Sequence, residues 1–144
     1  MIAVDTNLLV YGHRSDAPFH QGAFRVLQSL TEGDVWWSIP WPCIHEFLAK
    51  VTHPRIFKSP TPLEQAVEQV REWLGSPSGL VIGEPDGYFD VLSGTLRASQ
   101  VTGAKVHDAR IAAICLAHGV DELWSADRDF GRFPQLRVKN PLMP

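Results

Sequence analysis

Short apolar runs alternate along the chain with longer stretches in which apolar residues recur every three or four positions. The runs predict five β-strands, at residues 2–4, 35–39, 80–82, 122–125 and 136–138. The second strand is predicted to stop at Pro40, because proline has no N–H to donate to a neighbouring strand. We therefore expect a sheet built from short strands that are spread over the whole chain.

The stretches with helical spacing predict five amphipathic helices. These helices extend from Pro18 to Gly33, from 41 to 52, from 61 to about 75, through 88–96, and from 107 to 118. The clearest helix start is the segment Thr61-Pro62-Leu63-Glu64. There Thr61 can cap the helix, proline suits the first helical position, and Glu64 completes a capping box.

Strands that alternate with helices predict an α/β fold in which helices flank a largely parallel central sheet. The 144 residues fit a single domain, 1–144, and no repeat, low-complexity tract or long linker divides them. In parallel sheets, functional sites form beyond the carboxyl ends of the strands. Residues that directly follow a predicted strand are therefore the first candidates for chemistry.

Composition and charge narrow the class of protein. Apolar residues make up 44% of the chain, and its two cysteines, Cys43 and Cys115, lie in apolar runs and are interpreted as buried thiols. The sequence has neither a secretory signal nor an apolar run of membrane-spanning length, so we expect a cytoplasmic protein with no membrane partner. The net charge of −3 argues against a protein that coats nucleic acid. Basic clusters at 50–58 and 128–139 either contact phosphates or form ordinary solvated surface.

Two aspartates occupy positions that favour a functional carboxylate. Asp5 ends the first predicted strand, where a functional group and a cap on a following helix are equally good interpretations. Asp108 precedes Ile111 and Ala112 by three and four residues, so it shares the apolar stripe of its helix. A carboxylate turned toward the core needs hydrogen bonds, a counter-charge or a metal ion. Function is therefore favoured for Asp108, with helix capping as the alternative.

Two further acids are weaker candidates when each is taken alone. In the segment SADRDF, an extended chain would project Ser125, Asp127 and Asp129 to one side. A turn rich in aspartate is the better explanation of that segment by itself. Glu46 lies at the edge of the apolar face of its helix, and an ion pair with Lys50 at i+4 explains it adequately.

Several carboxylates that converge at one edge of a sheet repel one another, and one or two divalent cations remove that conflict. Mg²⁺ prefers carboxylates, waters and phosphate oxygens as ligands. A metal ion held in this way activates water and stabilises an in-line displacement at phosphorus. With no glycine-rich phosphate loop near these acids, hydrolysis of a phosphodiester is favoured over chemistry on a nucleoside triphosphate.

Three segments, VDTNLLVY, IHEFL and HDARIAAICLAHGVDELWSADRDFGRF, resemble the PIN-domain ribonucleases, in particular the VapC-type toxins of toxin–antitoxin modules. The segment PCIHEFLAKVTHPRIF is also similar to one bacterial branch of that family. The resemblance covers nearly the whole chain in the family's order, and it implies a PIN-like nuclease domain. By this resemblance, the residues that bind metal and act in catalysis are Asp5, Glu46, Asp108 and Asp127, and the supporting residues are Thr6, Asn7, Ser125 and Asp129.

The resemblance also implies a cofactor, an activity and partners. The cofactor is Mg²⁺ or Mn²⁺, and the activity is endonucleolytic cleavage of RNA. The partners are the RNA substrate, a cognate antitoxin that inhibits the toxin, and further copies, in a homodimer or a toxin–antitoxin hetero-oligomer. Because all four acids of the motif are present, we expect an active enzyme.

Two other functions stay open at this stage. An aspartate-based phosphatase would also place its nucleophile after the first strand, but that chemistry usually wants a second acid where this chain has Asn7. A PIN-like module that binds RNA or protein without catalysis is the second alternative, and retention of every acid speaks against it.

The histidines and tryptophans suggest no other chemistry. The six histidines show neither HExxH nor pairing with cysteine, which argues against a zinc site. His45 and His107 directly precede Glu46 and Asp108, and we interpret them as surface groups or as support for those acids. Most of the five tryptophans lie in predicted strands or on apolar helix faces, so core packing is favoured over stacking on nucleobases.

Overall fold

The computed structural model describes residues 1–143, and five strands form one parallel sheet there. In chain order the strands are β1 (Ile2–Val4), β2 (Trp37–Pro40), β3 (Gly79–Ile82), β4 (Glu122–Trp124) and β5 (Val138–Lys139). Their order across the sheet is β3-β2-β1-β4-β5, and each neighbouring pair is parallel. The predicted α/β fold with a parallel central sheet is confirmed.

Six α-helices connect the strands. They are α1 (Thr6–His13), α2 (His20–Glu32), α3 (Trp41–Val51), α4 (Leu63–Leu74), α5 (Tyr88–Ser99) and α6 (Val106–Ala117). Short 3₁₀ turns at Gly103–Lys105 and Arg128–Arg132 precede α6 and follow β4. Five of the six helices agree with the prediction to within a few residues. Within the described range, none of the helices is both long and apolar enough to cross a membrane.

The strand β1 lies in the middle of the sheet, between β2 and β4. Its Ala3 is in register with Ser38 of β2 and with Leu123 of β4. The residue after β1, Asp5, donates its backbone N–H to the carbonyl oxygen of Trp124 at 3.0 Å. The first and fourth strands therefore end side by side, and the residues that follow them meet at one edge of the sheet.

Helix α1 is the one that the hydrophobic spacing did not predict. Its buried residues are Thr6, Leu8, Leu9, Val10 and Gly12. They lie on most sides of the helix, so the sequence shows no single apolar stripe. At Gly12 a Cβ atom would lie 2.5 Å from Cδ1 of Leu27, which shows how closely α1 and α2 approach. A helix enclosed on several sides cannot be recognised by amphipathic period.

The predicted capping box at the start of α4 is wrong. The cap residue is Pro62, and no side chain caps this helix. Instead the hydroxyl of Thr61 lies 3.1 Å from Nε2 of His13 and accepts a hydrogen bond of 3.2 Å from Arg14. The side chain of Thr61, which was predicted to cap α4, therefore bonds to residues at the end of α1.

Core packing, which was predicted for most of the five tryptophans, is confirmed for some of them and wrong for others. Trp37 and Trp73 belong to the hydrophobic core, whereas Trp36 and Trp41 are 56% and 44% exposed. The exposure of Trp36 and of Val35 follows from the start of β2, which begins at Trp37 rather than at residue 35. Trp41 is exposed because it is the first residue of α3, just beyond the end of the strand.

Candidate active site

The carboxylate of Asp5 is buried at the end of the central strand, with 5% of the residue exposed. Its Oδ1 accepts a 2.8 Å hydrogen bond from the backbone N–H of Thr6, and its Oδ2 accepts one of 2.7 Å from the hydroxyl of Ser125. The thiol of Cys43 also donates to Oδ1, at 3.6 Å. Burial raises the pKa of Asp5 to about 6, although the hydrogen bonds from Ser125 and Thr6 act in the opposite direction. Asp5 therefore caps α1 and holds a hydrogen-bonded carboxyl group in a fixed position at the end of β1.

Glu46 reaches the same place from α3. Its Oε2 accepts a hydrogen bond of 3.1 Å from the hydroxyl of Thr6, the residue next to Asp5. Its Oε1 lies 2.9 Å from the ammonium group of Lys50, one turn further along the helix. The predicted i+4 ion pair is thus present. The ion pair uses only Oε1 of Glu46, because Oε2 accepts its hydrogen bond from Thr6 of α1.

Asp108 lies in the first turn of α6, with 26% of its side chain exposed. Burial raises the pKa of its carboxyl group, Lys105 opposes that shift, and the negative charges of Asp127, Asp129 and Glu46 add to it. Residues on several sides of α6 are buried. The position of Asp108 in register with Ile111 and Ala112 is therefore weaker evidence that its side chain points inward than the sequence suggested. The proximity of the other acids is the more direct indication.

Asp127 follows β4 and begins the 3₁₀ turn Arg128–Arg132. Its backbone N–H donates to the hydroxyl of Ser125 at 3.0 Å, and its Oδ1 accepts from the backbone N–H of Asp129 at 2.9 Å. The amide side chain of Asn7 holds this loop by donating to Ser125 at 3.3 Å and accepting from the N–H of Ala126 at 3.2 Å. Both interpretations of SADRDF are therefore compatible with the structure, since the aspartate-rich turn places Asp127 beside the other acids.

The four predicted acids line one small cavity of about 70 Å³. Its wall consists of Asp5, Thr6, Asn7, Glu46, Lys50, Asp108, Ile111, Asp127 and Phe130. The tightest group of carboxylate oxygens is a different one, because single oxygens of Asp108, Asp127 and Asp129 lie within 4.8 Å of one another. Asp129 does not line the cavity and is paired with Lys105. We give more weight to the cavity, since the charge of Asp129 is already balanced by that ammonium group.

Lys105 is a residue of this site that the sequence analysis missed. It forms an ion pair with Asp129 and lies 3.7 Å from Oδ2 of Asp108. The spacing of three residues between Lys105 and Asp108 is the signal that could have revealed it. Two lysines thus contact different acids of the cluster, Lys50 at Glu46 and Lys105 at Asp108 and Asp129.

The residues present fit a hard divalent cation. Asp5, Glu46, Asp108, Asp127 and Asp129 bring five carboxylates together, and among residues 1–143 two ammonium groups form ion pairs with them. All the donors are oxygen atoms, which suits Mg²⁺ or Mn²⁺ and not a soft metal ion. Burial is the main cause of the raised pKa values of Asp5 and Asp108, the negative charges of neighbouring acids add to them, and a divalent cation beside these carboxylates would lower both.

Known proteins of similar sequence identify the family. Ribonuclease VapC48 of Mycobacterium tuberculosis is 30% identical over 137 residues, which cover 95% of this chain and 94% of the relative. Ribonuclease VapC43 of the same species is 31% identical over 142 residues, or 99% of this chain and 96% of the relative. This chain belongs to the VapC ribonuclease family. The resemblance stated from the motifs is confirmed, although no family model matches the sequence.

Solved structures show that the VapC fold extends over the whole chain. VapBC2 from Rickettsia felis bound to a DNA fragment from its promoter superposes with a TM-score of 0.69 and 19% identity, covering 96% of this chain and 98% of that chain. Mycobacterium tuberculosis VapC20, a toxin that cleaves the sarcin–ricin loop, superposes with a TM-score of 0.66 and 17% identity, covering 91% of this chain and 93% of that chain. A toxin–antitoxin complex from Klebsiella pneumoniae superposes with a TM-score of 0.61 and 16% identity, covering 98% of each chain. At these identities the likeness establishes the fold, and the predicted PIN-like class is confirmed.

Proposed function

We propose that this VapC-family chain is a Mg²⁺- or Mn²⁺-dependent endoribonuclease that acts as the toxin of a toxin–antitoxin pair. The observation that carries the proposal is the convergence of Asp5, Glu46, Asp108 and Asp127, from four separate segments of the chain, on one cavity. The family name supports the reaction, because the relatives are called ribonucleases.

In this proposal Asp5, Glu46, Asp108 and Asp127 hold the metal ion. When bound, the ion supplies Lewis-acid stabilisation of the phosphate charge and lowers the pKa of a water molecule. The protein's own contribution is to fix the ligands before the substrate arrives. Ser125 and the N–H of Thr6 hold the two oxygens of Asp5, and the hydroxyl of Thr6 orients Glu46. Such outer hydrogen bonds determine which oxygens face the metal ion.

Charge around the cavity favours a phosphodiester substrate once a cation is bound. The ammonium group of Lys50 lies 2.9 Å from Glu46 and lines the cavity wall. Lys105 lies at the other side, against Asp129 and Asp108. Two fixed positive charges beside a divalent cation attract the phosphate groups on either side of the bond to be cleaved.

The proposed protein partner is a small cognate antitoxin, and the proposed assembly is a homodimer or a toxin–antitoxin hetero-oligomer. One of the structural neighbours is itself a toxin–antitoxin complex. We expect the antitoxin to cover the acidic cavity and to offer it a basic side chain, since a guanidinium group matches paired carboxylates. Co-expression with the neighbouring gene should yield a complex and relieve toxicity. A chain that is harmless when expressed alone, and from which no partner is recovered, would contradict this part of the proposal.

Cleavage of RNA under defined metal conditions tests the reaction. The purified protein should cut RNA internally with Mg²⁺ or Mn²⁺ and stop when EDTA is added. The variants Asp5→Asn and Asp108→Asn should be folded, as judged by thermal melting, and nearly inactive. Undiminished cutting in EDTA would contradict the metal mechanism, and a wild-type protein that never cuts RNA would favour a non-catalytic binding module.

A further inference from the structure

A second, larger cavity adjoins the acidic one and has no role in the mechanism given above. It measures about 470 Å³ and lies between α3 and α6. Six residues that matter for its chemistry line it, namely Pro42, His45 and Glu46 from α3 and His107, Asp108 and Arg110 from α6. Because Glu46 and Asp108 also line the acidic cavity, the two cavities share a wall.

The position of the two histidines follows from their place in the helices. His45 and His107 each precede a site acid by one residue, which turns the side chain by about 100° around the helix axis. The acids thus border both cavities, whereas the imidazole groups line only the larger one. Both histidines are exposed and therefore accessible to a ligand.

His45 is held in place by an exposed tryptophan. Its ring stacks on that of Trp41 with an angle of 24° between the planes and 6.0 Å between the centroids. Trp41 in turn packs on Gly83, where a Cβ atom would lie only 3.1 Å from Cδ1 of the indole. Glycine at position 83 therefore leaves the room that the indole occupies.

The opposite wall carries hydrogen-bonding groups. Arg110 is fixed by an ion pair with Glu84, in which its Nε donates to Oε1 of Glu84 at 2.6 Å. Arginine and histidine donors beside a supported aromatic surface are the means by which proteins bind an unstacked nucleobase, through its edge and its face. The volume is also within the roughly 300–1,000 Å³ of small-molecule sites.

We propose that this cavity binds the nucleobase next to the scissile phosphate of the RNA, with His45 as the stacking surface and His107 and Arg110 at the base edge. This assignment rests on the proposed ribonuclease function, because the shared wall at Glu46 and Asp108 places the adjacent phosphate at the acids. It makes α3 and α6 the elements that select the base, in addition to supplying two of the acids.

Binding of nucleoside 5′-monophosphates tests the assignment without any cleavage, since these ligands have a base and a phosphate group but no phosphodiester bond. In the presence of Mg²⁺, at least one of AMP, GMP, CMP and UMP should bind about fivefold or more tightly than ribose 5-phosphate, which lacks the base. NMR titration should show shifts of the imidazole resonances of His45 and His107. His45→Ala should abolish the advantage of the nucleotide and leave the affinity for ribose 5-phosphate unchanged.

Trp41→Ala should reduce the same advantage, whereas Trp36→Ala, which removes an exposed tryptophan that lies outside this cavity, should leave it intact. On RNA, His45→Ala should raise KM more than it lowers kcat and should not change the affinity for Mn²⁺. Equal affinity for the nucleotides and ribose 5-phosphate, or no binding of any nucleotide at millimolar concentration, would overturn the inference. If a nucleotide binds as described and the wild-type protein cuts no RNA, the proposed reaction fails and the base site stands.

Discussion

The hydroxyl of Ser125 donates a 2.7 Å hydrogen bond to Oδ2 of Asp5, across 120 residues of sequence. The Oγ atom of Ser125 in turn accepts hydrogen bonds from the N–H of Asp127 and from the side-chain amide of Asn7. Ser125 is 2% exposed, so no solvent can replace it. One side chain thus connects the two strand ends on which two of the proposed ligands lie.

Ser125→Ala should therefore lower both stability and metal affinity. Leaving buried polar partners unsatisfied costs about 1–3 kcal/mol of the free energy of unfolding, and a lost outer hydrogen bond typically weakens metal binding by about 10–100-fold. Urea denaturation and Mn²⁺ titration measure the two effects. The matched control is Ser93→Ala, which removes a hydroxyl that bonds only within α5 and should change stability by less than about 0.5 kcal/mol. If both variants behave alike, Ser125 is not the link described.

Asp127 and Asp129 should respond differently to the same substitution. Asp127 lines the acidic cavity, whereas Asp129 is paired with Lys105 and lies outside it. Asp127→Asn should be nearly inactive at every Mn²⁺ concentration, and Asp129→Asn should keep measurable activity when Mn²⁺ is raised. RNA cleavage over a Mn²⁺ series measures both, with thermal melting to show that each variant is folded. An inactive Asp129→Asn beside an active Asp127→Asn would reverse the assignment.

Removing the ammonium group of Lys105 should tighten metal binding. Lys105→Met leaves Asp108 and Asp129 without their nearby positive charge, so a divalent cation gains attraction at the cluster. Because the pair is partly exposed and screened, the gain should be modest, about twofold to fivefold in the Mn²⁺ dissociation constant, and larger at low salt. Lys58→Met, at an exposed position outside both cavities, serves as the control. Weaker Mn²⁺ binding by Lys105→Met would show that the lysine supports the site instead of competing with the ion.

Thr61 should stabilise the fold through its contacts with the end of α1 and not by capping α4. Thr61→Val keeps the shape of the side chain and removes the hydroxyl that contacts His13 and Arg14, which should cost about 1–3 kcal/mol in the free energy of unfolding. Thr52→Val removes a hydroxyl that bonds only to the carbonyl oxygen of Leu48, one turn earlier, and should cost less than about 0.5 kcal/mol. Equal losses in the two variants would contradict the tertiary role of Thr61.

The strands and most helices could be predicted from the sequence, because each is either buried along its length or buried on one face. The strand Ile2–Val4 is a continuous apolar run, and α2 has one buried face that ends at Gly33. The pattern failed for α1, which is buried on several sides, and for Thr61, whose hydroxyl is used by a distant segment. Local rules do not include partners that are remote in sequence.

In the candidate site, too, some residues could be predicted from local sequence and others depend on contacts between distant segments. Asp5 could be proposed because a strand ends just before it, whereas Asp127 was assigned by the family resemblance, and the structure places both with Glu46 and Asp108 in one cavity. Their role as ligands stays a prediction. The ion pair of Lys105 with Asp129 and the contact of the Cys43 thiol with Asp5 were not found, because each joins segments that are distant in sequence; only the spacing of Lys105 to Asp108 was a local signal.

The central position of β1 determines when the acidic cavity can first form. Strand β1 is made well before β4, yet β4 is one of its two neighbours in the sheet. Parallel pairing between such distant segments folds slowly, since a long loop must close before any contact forms. During synthesis on a ribosome, the nascent chain holds Asp5 long before Asp127 exists. A chain of this topology cannot close the cavity around Asp5, Glu46, Asp108 and Asp127 until β4 and the segment after it have been synthesised, so the four acids cannot meet while only the earlier part of the sequence exists.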